Sequence, residues 1–320
     1  MTIIKKWTRL SLFLFFSSPL WLNCARADDQ KMDISCDSKS MCASKLQIGN
    51  RVRTFHYFMH GGVTSAFNPT YRVIYVFHAE NTDGLAFDTN IMAGTMDNAE
   101  AKVPFMVVYP DAVDGRWNFG PDSTVTDVDD VTFITTLMAH FEDTHKQAKV
   151  NNYAAGMGNG GLMVFRLGCE ISEKLNAMAV VDASMPVSLT KTCKPTNKIS
   201  LLLFEGHEDK FTPFNRQYMA EINMPLLATL NPSQTFDFWS GLMGLNMPSV
   251  FSLIPLKAYD GTYAYKELRK DSKVEVRMYT IFGGGHTWPG GGQYFPLSMV
   301  GKTSRNFSAS ETMIDFFWGH

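Results

Sequence analysis

The sequence predicts an α/β protein with a mostly parallel central sheet and helices on both faces. Three observations predict it. Short apolar runs of strand length recur along the chain, helical patterns separate many of them, and glycine-rich turns follow several of the runs. Residues 73–77, 105–109, 153–155, 177–181, 200–204 and 274–281 are the apolar runs. They read as buried strands, because a parallel strand covered on both faces loses its apolar/polar alternation. Between them, "VDDVTFITTLMAHFEDTHKQ" puts Val131, Ile134, Leu137, Met138 and Phe141 on one helical face. Asp127 stands where it can cap that helix. "GLMVFRLGC" predicts a second helix and "SASETMIDFFWGH" a third. Residues 211–256 break the alternation and are rich in Met, Phe and Pro. They read as a helical insertion beside the site, or equally as ordinary covering helices. Ligands on such sheets bind at the carboxyl ends of the strands.

The first 27 residues stand apart. Lys5, Lys6 and Arg9 precede the apolar run "LSLFLFFSSPLWL", and Ala25-Arg26-Ala27 follows it. This is the pattern of a signal peptide with an A-x-A cleavage site. The run is shorter than the ~20 apolar residues of a spanning helix, so no stable membrane anchor is expected after cleavage. A lipoprotein signal at Cys24 is the other alternative, and its flank Trp21-Leu22-Asn23 lacks small residues. The remainder, 28–320, reads as a single domain that is exported to the periplasm or the medium. Cleavage removes four basic residues and no acids, taking the net charge from −2 to about −6. With no basic patch, nucleic acid is excluded as an expected partner. Four of the five cysteines remain: Cys36, Cys42, Cys169 and Cys193. An even number in an exported chain suggests two disulfides. Order along the chain favours Cys36–Cys42 and Cys169–Cys193 among three possible pairings. No zinc spacing and no cofactor fingerprint is present, so neither a metal nor a cofactor is expected.

The chemistry centres on "NNYAAGMGNGGLMVFRLGC", residues 151–169. A short strand runs through a glycine-rich turn into a helix. In a nucleophile elbow the turn reads G-x-S-x-G, with serine at its apex. Here it reads Gly156-Met157-Gly158-Asn159-Gly160, and the apex is Gly158. Two further sites follow strand ends. Asp209 lies in "LLLFEGHEDKFTPF", after the strand at 200–204, and His286 lies in "VRMYTIFGGGHTWPGGG", after the last strand. Nucleophile, acid, histidine is the chain order of a hydrolytic triad on this architecture. Each element alone has a bland reading: a strand–helix connection or phosphate cradle, a loop acid, one of eight histidines. Ser184 in "VVDASMPVS" is a weaker candidate nucleophile and reads more readily as a turn serine.

Taken together these segments resemble the secreted polyhydroxybutyrate depolymerase and feruloyl-esterase type of α/β-hydrolase. "YAAGMGNGG" is similar to that family's Y-x-x-G-x-S-N-G-G segment, and "GGGHTWPGG" to its histidine loop. "VVYPDAVDGRWN", "VDDVTFI", "GHEDKFTPF" and "FWSGLMGLN" follow in the family's order, so the resemblance covers roughly residues 50–320. It implies an α/β-hydrolase fold that acts on carboxylic esters such as hydroxyalkanoate oligomers. It implies Asp209 as the acid, His286 as the base, and the Asn159 N–H as one oxyanion donor. The loop after residues 73–77, at Ala79, would supply the second donor, and Trp288 would border the substrate. The chain departs from the family at two places that matter. Serine is replaced by Gly158, and the family's His-Gly after the first core strand reads His78-Ala79-Glu80-Asn81. Two functions follow: an ester hydrolase with impaired or unusual catalysis, or a catalytically silent protein that retains an ester- or polymer-binding cleft.

Overall fold

Alternate residues along one strand meet two different cores. Val73, Tyr75 and Phe77 pack into one hydrophobic layer and Ile74 and Val76 into the other. The strand can be wholly apolar because the sheet it belongs to is covered on both faces. The computed structural model describes residues 35–36, 41–60, 70–99, 103–144, 148–214 and 228–320, all within one unit, Met32–His320. The expected signal peptide, 1–27, lies outside the described residues.

Eleven strands among the described residues form one sheet. They are β1 (Ser35–Cys36), β2 (Met41–Ile48), β3 (Arg51–His60), β4 (Thr70–Phe77), β5 (Phe105–Pro110), β6 (Lys149–Met157), β7 (Ala177–Val181), β8 (Ser200–Gly206), β9 (Val250–Leu253), β10 (Tyr263–Lys270) and β11 (Glu275–Phe282). Their spatial order is β1-β2-β3-β5-β4-β6-β7-β8-β11-β10-β9. The six central strands, β5 to β11 in that order, are mutually parallel. They are the six apolar runs of the sequence. The outer strands pair antiparallel, β1–β2–β3 at one edge and β10–β9 at the other. The sequence reading passed over these edges. β10, one strand in from the edge, carries charge in "YAYKELRK" because most of its side chains stay in contact with water.

Helices Asp130–Thr144, Asn159–Glu170 and Pro232–Leu242 bring Phe133, Phe165 and Trp239 into one core. Helix Ala309–Trp318 brings Met313, Phe316 and Phe317 into the other. One expectation is corrected. Asp127 does not cap the first helix: Asp129 Oδ1 accepts the Thr132 N–H at 2.9 Å, and Asp127 instead pairs with Arg51. The described residues of 211–256 divide between the two readings: Phe211, Thr212, Pro213, Thr229 and Leu230 border the cleft at the carboxyl ends of the strands. Helix Pro232–Leu242 buries Phe236 and Trp239 against the sheet, and 250–253 is strand β9. Residues 215–227 of that segment lie outside the described residues.

Cys169 and Cys193 form a disulfide closing a separation of 24 residues. Cys36 stands opposite Cys42 in the β1–β2 register, and Cys42 is disulfide-bonded. The side chain of Cys36 lies outside the described residues, so its pairing with Cys42 stays an expectation.

Candidate active site

Because the central strands are parallel, the loops after β4, β6, β7, β8 and β11 open on one edge. β4 lies between β5 and β6, so the strand order reverses there, which is where such sheets bind ligands. At that point a cleft of about 1150 Å³ is lined by Ala79, Gly158, Asn159, Phe211 and His286, among others.

The turn after β6 keeps the form of a nucleophile elbow. Gly158 sits at φ 54, ψ −120, a region that only glycine adopts without strain. Its N–H donates to the Val181 carbonyl at 3.1 Å, which ties the turn to β7. The neighbouring glycines answer a different demand. A Cβ on Gly160 would stand 2.1 Å from the Phe77 carbonyl oxygen, and one on Gly156 would stand 2.6 Å from Gly160. They let the helix start pack against β4 with no room for a side chain. At Gly158 a Cβ would meet side chains rather than backbone, 3.3 Å from His286 Nε2 and 3.9 Å from the Ala79 methyl, a close fit that needs the imidazole to give by a few tenths of an ångström. The imidazole therefore faces the place where a serine would carry its hydroxyl.

The other imidazole nitrogen is held by the acid. His286 Nδ1 and Asp209 Oδ2 are 2.7 Å apart. Asp209 is buried and also accepts the N–H groups of Phe211 and Thr212, at 2.6 and 3.0 Å. Burial by itself would lower the His286 pKa. The Asp209 carboxylate, its hydrogen bond and the nearby Asp182 more than reverse this and raise the imidazole to about 9. Only 12% of the His286 side chain is exposed.

Asn159 and the loop after β4 complete the arrangement. As the first residue of its helix, Asn159 has a backbone N–H with no intrahelical acceptor. Its side-chain Oδ1 accepts the Trp117 N–H at 2.6 Å, anchoring the loop after β5. His78 fixes the loop that carries Ala79. The Ala112 N–H donates to His78 Nε2 at 2.9 Å, so the proton must sit on Nδ1, which donates to the Ala79 carbonyl at 2.7 Å. Burial lowers the His78 pKa, so it stays neutral in this role.

Gly158, Asn159, Ala79, Asp209 and His286 therefore converge. Trp288 does not join them. It is fully buried, packs edge-on against Phe87, and donates its Nε1–H to Ser310 at 3.0 Å. Trp288 stands two residues after His286, and the bend through Thr287 turns its indole inward, away from the cleft. Ser184 is likewise fully buried, and its Oγ makes no hydrogen bond among the described residues. Sequence reasoning missed Asp182, at the end of β7. One of its carboxylate oxygens, one of Asp209 and a His286 nitrogen all lie within 4.8 Å of one another. This is the group among the described residues that could share a metal ion, but both Asp182 oxygens already accept backbone N–H groups.

No known family profile matches the chain. "Putative esterase NocK" of Nocardia uniformis subsp. tsuyamanensis is 28% identical over 224 residues, which is 67% of this chain and 65% of that protein. The match thus spans less than two thirds of the relative's length. Among solved structures, the acetyl xylan esterase from Aspergillus awamori superimposes with a TM-score of 0.55 at 12% identity, over 87% of this chain and 99% of that one. At that identity the likeness concerns the fold. The fold is that of the α/β-hydrolases.

Proposed function

We propose that this protein acts on carboxylic esters through the His286–Asp209 pair, with Gly158 in the nucleophile position. One observation carries the reading: His286 Nε2 lies 3.3 Å from where a side chain on Gly158 would begin, while Nδ1 is bound to Asp209. A base with no nucleophile to serve would have no need of that alignment. Removing a triad serine costs roughly 10⁶-fold in turnover, about 8 kcal/mol of barrier. An oxyanion hole and base alone still give ~10³–10⁴-fold over water. In the native chain His286 Nε2 takes a proton from a water in the space the serine vacated. That water attacks the ester carbonyl, the Asn159 and Ala79 N–H groups hold the oxyanion, and the imidazolium returns the proton to the leaving alkoxide. Catalysis is slow by comparison with a serine esterase.

The cleft suits a small ester or a hydroxyalkanoate oligomer. Phe211, Leu230 and Phe295 give it an apolar wall, and the ion-paired Glu80 and Arg116 a polar one. The resemblance to depolymerases and feruloyl esterases supports the same substrate class, and the signal-like residues 1–27 support export. The alternative reading is a silent ester-binding protein. It is favoured by an imidazole raised to about 9, which leaves only ~1% of free base at pH 7.

Ester hydrolysis by the native chain, His286→Ala and Gly158→Ser tests the reading. His286→Ala is expected to abolish native turnover. Gly158→Ser is expected to raise it by orders of magnitude, while destabilising the fold by ~1–3 kcal/mol through the strained backbone at that position. A folded Gly158→Ser with no activity above the native chain would leave the binding protein as the better reading.

A further inference from the structure

Strand β7 ends in a buried acid that the reaction above does not use. Asp182 has 1% of its surface exposed, and its backbone sits at φ 47, in the left-handed region that residues other than glycine occupy at a cost. Its carboxylate is divided between two loops. Oδ1 accepts the N–H of Gly206 at 2.8 Å, three residues before Asp209, and Oδ2 accepts the N–H of Thr287 at 2.7 Å, directly after His286. Its main chain continues the pattern. The Asp182 N–H donates to the Phe204 carbonyl at 2.8 Å, and its own carbonyl accepts the Thr212 hydroxyl at 3.0 Å. One residue therefore grips the acid loop on both sides of Asp209 and the histidine loop beside His286.

We propose that Asp182 is a positioning residue of this site: an ionised carboxylate that ties both loops to β7 and joins Asp209 in holding His286 as a cation. The proposal rests on the assignment of His286 and Asp209 as the working pair. Both Asp182 oxygens accept N–H groups, which favours the charged form. An apolar residue in its place would leave two buried N–H donors without acceptors. Burial and the neighbouring Asp209 oppose that charge and push the Asp182 pKa up. The nearby imidazole, as a cation, and the two N–H groups pull the carboxyl back toward the charged form. Glu205 on β8 and Tyr294 also face the cluster, Tyr294 donating its hydroxyl to the His286 carbonyl at 2.7 Å. A strained backbone and two adjacent buried carboxylates are features that persist where a site needs them.

Asp182→Asn removes the charge and keeps one acceptor oxygen, leaving one of the two N–H groups unpaired. The imidazole of His286 is followed by NMR across pH in the native chain and the variant, with no substrate present. The midpoint is expected to fall by about one unit, the effect of losing a nearby opposite charge. An unchanged midpoint in a folded variant would overturn the proposal. A second measurement needs only the native protein, labelled with ¹³C at its aspartate carboxyls. The Asp182 resonance is expected to report a carboxylate at neutral pH and to move as His286 titrates. A protonated carboxyl that ignores the imidazole would equally overturn it. In the Gly158→Ser background, Asp182→Asn is expected to lower kcat and carry the acidic limb of the pH profile downward, with KM little changed. A raised KM with the limb unmoved counts against it. If neither the native chain nor Gly158→Ser hydrolyses esters, the ester reading fails while the two titrations still decide the charge on Asp182.

Discussion

At the scale of single residues, the proposed reading turns on one position. Gly158 holds a turn with no side chain at its apex, and His286 Nε2 faces it while Nδ1 is bound to Asp209. The consequence for pH is direct. A general base must be unprotonated, and His286 binds its proton up to about 9. Below that value each unit of pH removes about nine tenths of the remaining free base. Native ester turnover is therefore expected to climb about tenfold per unit from neutral pH and to level near 9, as a pH–rate profile would show. A flat profile would mean that His286 is not the base. Gly158, Asp209 and His286 were legible in the sequence because polar or glycine-rich loops after apolar runs stand out. Asp182 was not, since an acid that ends a strand looks the same whether its carboxylate meets water or two buried N–H groups. Asp127 and Asp129 were confused because both precede the helix and only the first turn's geometry separates them.

At the scale of elements, a π-helical turn at Phe87–Met92 brings Asp88 beside Asp97, and the Tyr109 hydroxyl donates to both, at 3.2 and 2.6 Å. Burial and the second acid raise Asp88 to about 7, and burial raises Asp97 to about 6. Both native values lie above the unfolded one. The folded chain therefore binds more protons between about pH 4 and 7, and the stability this pair contributes is lost as pH rises through that window. Asp88→Asn removes the titration and keeps an oxygen for Tyr109. Its stability relative to the native chain is expected to grow from pH 4 to 7 and to exceed it by on the order of 1 kcal/mol at pH 8, read from denaturant midpoints. No dependence of that difference on pH would show that the Asp88 carboxyl is not raised in the folded chain. The edge elements were the ones the sequence hid. β3 and β10 mix charge with apolar residues and β9 is only four residues long, and only pairing distinguishes such strands from loops.

At the scale of the whole molecule, the Cys169–Cys193 disulfide joins the end of helix Asn159–Glu170 to the segment before β8. Cys169→Ser with Cys193→Ser is expected to cost about 3 kcal/mol by the loop-entropy relation, measured as a fall in the denaturant midpoint. No helix among the described residues is long and apolar enough to cross a membrane. Export remains a reading of residues 1–27. It predicts that intact-mass analysis of the product from its native host finds a chain starting near Asp28. A mass that retains those residues would refute it.

The sequence by itself determined the layered architecture and the presence of glycine at position 158. Burial on both faces of a parallel sheet turns its central strands into plain apolar runs, and the identity of a residue needs no coordinates. Only the tertiary structure decided which loops meet. His286 and Asp209 are 77 residues apart, and Thr287 and Asp182 are 105 apart. Such contacts depend on strand order, which places β7, β8 and β11 side by side. The same packing turned Trp288 into the core and left Ala79 facing Gly158, because a loop's local sequence does not say which of its sides the rest of the fold will cover.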